Sequence, residues 1–331
     1  MSADDEARRK LEKPRCDAAA VVEFVNSHWT LPGGAIDSSS ASELNSYDDR
    51  NFYARTEDGT HAYTLKVHNG VESQRPGLLS AQTAMMRHLQ AHDVPAPVPM
   101  RTNASFDFIG SINEKNKRPV HDDVAYIRLK TAAGIARMHA VGAQQPFQHR
   151  PQINVQRFGH ASRDFLLTNN FLPAEMESAY ASVSEHLLQR IDPLMADAPN
   201  IRIHGDCHMG NILWRDEIPH FVDFDDCMMG PPIQDLWMLL SGERHDQTAQ
   251  LATILDAYND FYPFAVNTLN LIEPLRTLRI MHHAAWIARR WNDPAFPPAF
   301  PTFDSVNYWS KHVLELREQL ALLDEPPLTY L

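Results

Sequence analysis

Three polar residues in the second half of the chain have the types and spacing that phosphoryl transfer needs. Ile201-Arg-Ile leads into His204-Gly-Asp206, Asn211 follows five residues after Asp206, and the later apolar pair Phe221-Val runs into Asp223. Moving a phosphoryl group asks little covalent work of a protein. It asks for a carboxylate that orients or deprotonates the attacking hydroxyl, and for oxygen ligands that hold a divalent cation near the β- and γ-phosphates. The pattern His-x-Asp-x-x-x-x-Asn at His204, Asp206 and Asn211 meets the first need and part of the second. Asp223, on a following strand, completes a hard-oxygen set of the kind Mg²⁺ takes, with water and phosphate filling the remaining positions. The expected chemistry is in-line transfer of the ATP γ-phosphoryl group to a hydroxyl.

The neighbours of these residues have plainer readings. His204 and His208 stand four apart, but Gly205 and Gly210 argue against a helix and no third ligand is evident. His204 is therefore expected to hold the loop by hydrogen bonds rather than bind zinc. Asp225 and Asp226 crowd Asp223, and carboxylates so close repel unless a cation or donors offset them. Asp235 reads as a helix-start residue that braces the catalytic loop. Cys207 and Cys227 each follow an aspartate; they are either inert small residues or, if the fold brings the two loops together, a thiol pair. Trp286, Arg289, Arg290 and Trp291 lie at helical spacing, which favours core packing with one charged edge over the lining of a substrate cleft.

The elements that must position this chemistry follow from periodicity. Asp17 is an N-cap candidate for a helix to about residue 28. Asn51–Arg55 and His61–His68 alternate as strands about the turn dipeptide Asp58-Gly59. A Met- and Leu-rich helix spans about 77–91, ended by Pro95 and Pro97, and Phe106–Ile109 reads as a short strand. From there helices dominate, at Asp122–Val141, Glu175–Met195, Gln234–Ser241, Thr248–Phe261, Ile272–Trp291 and Ser305–Leu322. Short strands at Ile201–Ile203 and His220–Phe224 interrupt them. The expected class is α+β on a bilobal plan. A charged lead of 1–20 precedes a small β-rich N-lobe of 21–110, and a larger, mainly helical C-lobe spans 111–331.

Composition narrows the partners. The chain carries 30 basic and 42 acidic side chains, a net charge of −12, so nucleic acid is a poor partner. No apolar run approaches the ~18 residues of a membrane span. The charged residues 1–13 lack the apolar core of a signal peptide. Three cysteines, Cys16, Cys207 and Cys227, fit a reducing compartment. A cytoplasmic, monomeric protein is expected.

The strings His204-Gly-Asp-Cys-His-Met-Gly-Asn-Ile-Leu-Trp-Arg and Phe221-Val-Asp-Phe-Asp-Asp resemble the aminoglycoside phosphotransferase/choline kinase superfamily, over about residue 44 to the C-terminus. Asp223-Phe224-Asp225 stands where protein kinases carry D-F-G. Closer local likeness is to a bacterial Ser/Thr protein kinase branch, through Leu44-Asn-Ser-Tyr, Gly230-Pro-Pro-Ile-Gln-Asp-Leu-Trp, Leu271-Ile-Glu-Pro-Leu-Arg and Arg289-Arg-Trp-Asn-Asp-Pro. The resemblance implies a protein-kinase-like fold with Mg²⁺ as cofactor and ATP as co-substrate. It implies Asp206 as proton acceptor and, with Asp223, as a catalytic residue. Asn211 and Asp223 match the metal ligands, Lys66 the lysine that steadies the phosphates, and Ser46 a nucleotide contact; Phe106–Ile109 would sit at the adenine edge. Where the superfamily pattern has a helix Glu beside the strand Lys, the segment from Gly77 offers Ser80 or Gln82, and Glu72 is the nearest upstream acid. Ser46-Tyr-Asp-Asp-Arg-Asn-Phe also looks like the hydroxylysine kinase branch. A protein acceptor is therefore first choice. A small hydroxyl metabolite, such as an amino alcohol, hydroxylysine or an aminoglycoside, is the alternative, and a nucleotide-binding pseudokinase the third reading.

Overall fold

A computed structural model describes residues 17–44, 50–68, 77–101, 107–110 and 124–330. In chain order, helix α1 (Ala18–His28) precedes strands β1 (Ser42–Leu44), β2 (Arg50–Arg55) and β3 (Ala62–Val67), helix α2 (Leu78–Gln90), and strands β4 (Val98–Arg101) and β5 (Asp107–Gly110). Helices α3 (Val124–Gly142), α4 (Ala161–Thr168) and α5 (Ala174–Met195) follow, then strands β6 (Ile201–Ile203), β7 (Ile212–Arg215), β8 (Ile218–Phe221) and β9 (Met228–Gly230). Helices α6 (Gln234–Trp237), α7 (Arg244–Asn259), α8 (Ile272–Arg289), α9 (Phe296–Ala299) and α10 (Val306–Leu322) complete the chain. A small sheet region and a mainly helical remainder make the class α+β. No described helix is long and apolar enough to cross a membrane.

The chain divides into two compact units. Unit 1 comprises residues 1–127, 147–150 and 210–225; unit 2 comprises 128–146, 151–209 and 226–331.

In unit 1, β1, β2 and β3 form an antiparallel sheet in that order, with Asn51 opposite Lys66. Asp17 caps α1 by accepting from the Ala20 N–H at 2.7 Å. This helix lays Val21, Val22 and Val25 against Phe52, Ala54, Tyr63 and Leu65 of the sheet. Each Val, Leu or Phe side chain so removed from water stabilises the unit by roughly 2 kcal/mol. The hairpin β7–β8 also belongs to this unit and pairs Ile212 with Phe221. The Phe221 N–H donates to the Pro95 carbonyl at 3.1 Å, which ties the hairpin to the segment after α2.

In unit 2, α5, α8 and α10 enclose the larger core, built on Tyr180, Leu187, Leu188, Leu278, Met281, Ala285 and Trp309. Ser305 caps α10 by accepting from Tyr308 N at 3.2 Å. Strands β6 and β9 pair antiparallel, Ile203 opposite Met228.

Three elements differ from the sequence expectation. The helix expected over Gln234–Ser241 ends at Trp237. Beyond it the chain tightens into three-residue turns, and Ser241 N donates to Gln250 Oε1 instead of continuing the helix. Helix α4 and the π-helical turn Gln156–His160 before it carry too short an apolar pattern to be legible. The strand expected over His220–Phe224 stops at Phe221, and Asp223 lies beyond it with a left-handed backbone.

Candidate active site

In unit 2, strand β6 delivers the loop His204–His208. Gly205 has φ +86°, and a Cβ there would lie 2.4 Å from the Asp226 carbonyl oxygen, so only glycine fits. Asp235 of α6, fully buried, braces this loop. Its Oδ2 accepts from the His204 N–H at 2.8 Å and its Oδ1 from the Gly205 N–H at 2.9 Å. Gln234 Nε2 donates to the Gly205 carbonyl at 3.1 Å, so both sides of that residue are held. Behind Asp235 stands buried His139, whose Nε2 lies 3.0 Å from Oδ2 and whose Nδ1 lies 2.8 Å from the Tyr258 hydroxyl. Burial pushes that hydroxyl well above its ordinary range. Tyr258 therefore keeps its proton and can donate to Nδ1 while Nε2–H donates to the carboxylate. His204 accepts from the Asp206 N–H through Nδ1 at 3.4 Å, the loop-holding role its position suggests.

Asp206 projects from this braced loop, about four-fifths buried. Arg279 Nη2, from the middle of α8, lies 2.7 Å from Asp206 Oδ1, and His208 Nε2 lies 3.5 Å from Oδ2. Burial alone would raise this carboxyl; His208, Arg279 and His204 outweigh it and hold the group well below the usual carboxylate range. Asp206 is thus ionised at neutral pH.

In unit 1, the β7–β8 hairpin brings Asn211 and Asp223 to one end. The ladder extends past Ile212–Phe221, with Val222 N–H donating to the Asn211 carbonyl at 3.0 Å, and Asp223 is the next residue. Asp223 has φ +62°, a conformation costly for most side chains and tolerated best by Asn and Asp. Lys66, on β3 and largely buried, places Nζ 3.4 Å from Asp223 Oδ1 and also hydrogen-bonds Asp225 Oδ2. Asn211 and Asp223 together present an amide and a half-exposed carboxylate, hard-oxygen donors that suit a magnesium ion retaining water.

Of the remaining sequence candidates, Ser46, Glu72 and Phe106 lie outside the described residues. The Ser80 hydroxyl donates to the Gly77 carbonyl at 3.1 Å. Cys207 and Cys227 are both buried, and burial pushes the Cys207 thiol up, away from the reactive thiolate. Trp286 stacks on His283 and packs against Phe296, with the Arg290 guanidinium over its ring. Arg289 donates to the Ala161 carbonyl at 3.1 Å. Sequence reasoning missed Arg279, which lies far along the chain from Asp206. It also missed Gln82 as a partner of Asp225, although the absent helix acid pointed at that position.

The chain belongs to the phosphotransferase enzyme family, whose sequence pattern it matches over residues 40–267. It is an enzyme that transfers phosphate to a hydroxyl acceptor. It is 34% identical over 298 residues to stress response kinase A of Escherichia coli O157:H7, covering 86% of this chain and 88% of that one. It is 41% identical over 195 residues, 59% of each chain, to the serine/threonine protein kinase RdoA of Salmonella typhimurium. Among solved structures, amicoumacin kinase superposes with a TM-score of 0.70 at 15% identity, over 99% of this chain and 98% of that one. Choline kinase from Cryptosporidium parvum does so with a TM-score of 0.61 at 10% identity, over 93% and 96%. These two likenesses show the fold.

Proposed function

We propose that the protein is an ATP- and magnesium-dependent kinase that phosphorylates Ser/Thr hydroxyls of proteins. The observation that carries this reading is the end of the β7–β8 hairpin, where Asn211 and Asp223 adjoin and Lys66 Nζ stands 3.4 Å from the Asp223 carboxylate. A cation-holding pair beside a lysine is what a triphosphate needs. The names of the relatives, stress response kinase A and a serine/threonine protein kinase, support a protein acceptor.

In this mechanism Asn211 and Asp223 would hold Mg²⁺, which would supply neutralisation of phosphate charge. Lys66 releases Asp223 and steadies the phosphates, and Ser46 contacts the nucleotide. Asp206 accepts a hydrogen bond from the acceptor hydroxyl. Because its carboxylate is held so far below the usual range, it is a weak base; it works chiefly by orienting the hydroxyl and takes the proton late. Positioning and charge neutralisation carry most of the rate.

The test is transfer of label from ATP to generic proteins, to the enzyme itself and to a panel of amino alcohols. Label is expected on Ser/Thr of protein, and Asp206→Ala is expected to lower turnover by about 10²–10⁴-fold while the fold is retained. Label on an amino alcohol alone would reassign the acceptor. Wild-type turnover in Asp206→Ala would overturn the mechanism.

A further inference from the structure

Helix α2, Leu-Leu-Ser-Ala-Gln-Thr-Ala-Met-Met-Arg-His-Leu-Gln, contains no acidic residue. A lysine that must hold phosphates needs its ammonium fixed in place, because a four-carbon stem is otherwise free to wander. Helix α2 itself offers no carboxylate for this. The structure instead shows Lys66 bonded to Asp225, two residues beyond Asp223. The other oxygen of the same carboxylate, Oδ1, accepts from Gln82 Nε2 of α2 at 2.9 Å. Gln82 is 1% exposed, so its amide N–H₂ has little water to turn to and an unpaired donor there would be costly. The main chain of Asp225 is also held, its carbonyl accepting from Arg150 Nη2. Asp225 is thus fixed at three points, two of them through its carboxylate, whereas Asp223 is half exposed and stands at the longer distance of 3.4 Å from the lysine.

We infer that Asp225 is the positioning carboxylate for Lys66, and that Gln82 is the helix residue that holds Asp225 in place. The two acids of Asp223-Phe-Asp225 then divide their work: Asp223 is free to leave the lysine for the cation, and Asp225 stays. The three carboxylates crowded at 223–226 are relieved in part by this arrangement, since Lys66 and Gln82 both donate to the second of them. The assignment rests on the reading of Lys66 as the phosphate-binding lysine. It makes Gln82 a neutral bridge where a helix acid would place a second negative charge against Asp225.

The experiment relocates the charge. Asp225→Asn, Gln82→Glu and the double variant Asp225→Asn/Gln82→Glu are compared with wild type for kcat and for KM of ATP, each across a magnesium titration. Melting temperatures confirm that each variant is folded. Asp225→Asn should lower kcat/KM for ATP by about 10–100-fold, the size expected when a charged group loses its orientation. Gln82→Glu should be impaired by its like-charge pair, and the double variant should recover to within about fivefold of wild type, because the carboxylate has moved to the helix side of the same bridge. Wild-type behaviour of Asp225→Asn, or a double variant no better than the single, would overturn the inference. So would recovery of Asp225→Asn at high magnesium, which would make Asp225 a metal ligand. Lys66→Met separates the two levels: if it transfers phosphate as well as wild type, the lysine's role fails. If it is inactive while Asp225→Asn is normal, only the role of Asp225 fails.

Discussion

On the proposed mechanism the loop His204–His208 and the segment Asp223–Asp226 each supply an aspartate, and they hold it in opposite ways. The first is fastened from behind. Its backbone N–H groups donate to Asp235, a carboxylate with no exposure, which is itself backed by His139 and Tyr258. The second is fastened in front, by the Lys66 ammonium that a ligand would compete for. The difference teaches which part of a phosphotransferase site can be built permanently. An acceptor-orienting carboxylate has the same task in every state, so a buried hydrogen-bond network can fix it. A cation ligand must exchange partners, so its contacts are ionic, longer and half exposed.

Stability measurements should split the two regions where activity does not. Asp235→Ala strands the N–H groups of His204 and Gly205 and the ring of His139 inside unit 2, and should cost about 3–5 kcal/mol. Asp223→Ala removes a half-exposed charge from a crowded acidic segment and should change stability by less than about 1 kcal/mol. Urea midpoints read the contrast, and both variants should transfer phosphate poorly. Equal losses of stability would break the distinction between a fixed and an exchangeable half.

A second contrast lies in the charge around Asp206. Its carboxyl is held below the usual range because His208, Arg279 and His204 outweigh the burial that would raise it. A carboxyl depressed in the folded state contributes stability that is present above its unfolded value, near 3.9, and is lost as pH falls through the folded value. Arg279→Ala leaves burial less opposed, so the Asp206 carboxyl should titrate at higher pH in a carbon-13 titration. Turnover should fall by about tenfold, through poorer orientation. An unmoved titration would remove Arg279 from the account of Asp206.

What is legible in the sequence is the geometry that is local. Asn211 and Asp223 stand just outside the two ends of one short hairpin, so chain spacing nearly fixes their relation. Lys66 could be placed because the β2–β3 hairpin has a clear alternation about Asp58-Gly59. The bracing role of Asp235 was visible from its place at a helix start. What the sequence does not carry is the choice of partner across long separations. Gln82 meets Asp225 from 143 residues away, and Arg279 reaches Asp206 from a different helix. Helical periodicity marks both as polar positions among apolar ones without saying which acid each will find. Helix α4 was lost for another reason: eight residues hold little more than two turns, too few for periodicity to separate a helix from a loop.

The smallest effect expected is at the backbone of Asp223. Its φ of +62° is the left-handed region, and Gly205 on the other loop, at +86°, adopts a similar conformation without a side chain. The two positions therefore make a matched pair. Glycine at 205 is required, because any Cβ would run into the Asp226 carbonyl; an aspartate at 223 is tolerated at a conformational cost of about 1 kcal/mol. Asp223→Gly should remove that strain and some like-charge repulsion, offset by the larger entropy glycine loses on folding and by the lost contact with Lys66. The net gain should be at most about 0.5 kcal/mol, together with loss of phosphoryl transfer. Asp223→Asn keeps the side-chain volume and the local hydrogen bonding while removing the charge, and serves as the control. If Asp223→Gly is clearly less stable than Asp223→Asn, the residue is held for the fold and not for its chemistry. If it is equal or more stable while inactive, the strain at 223 belongs to the function.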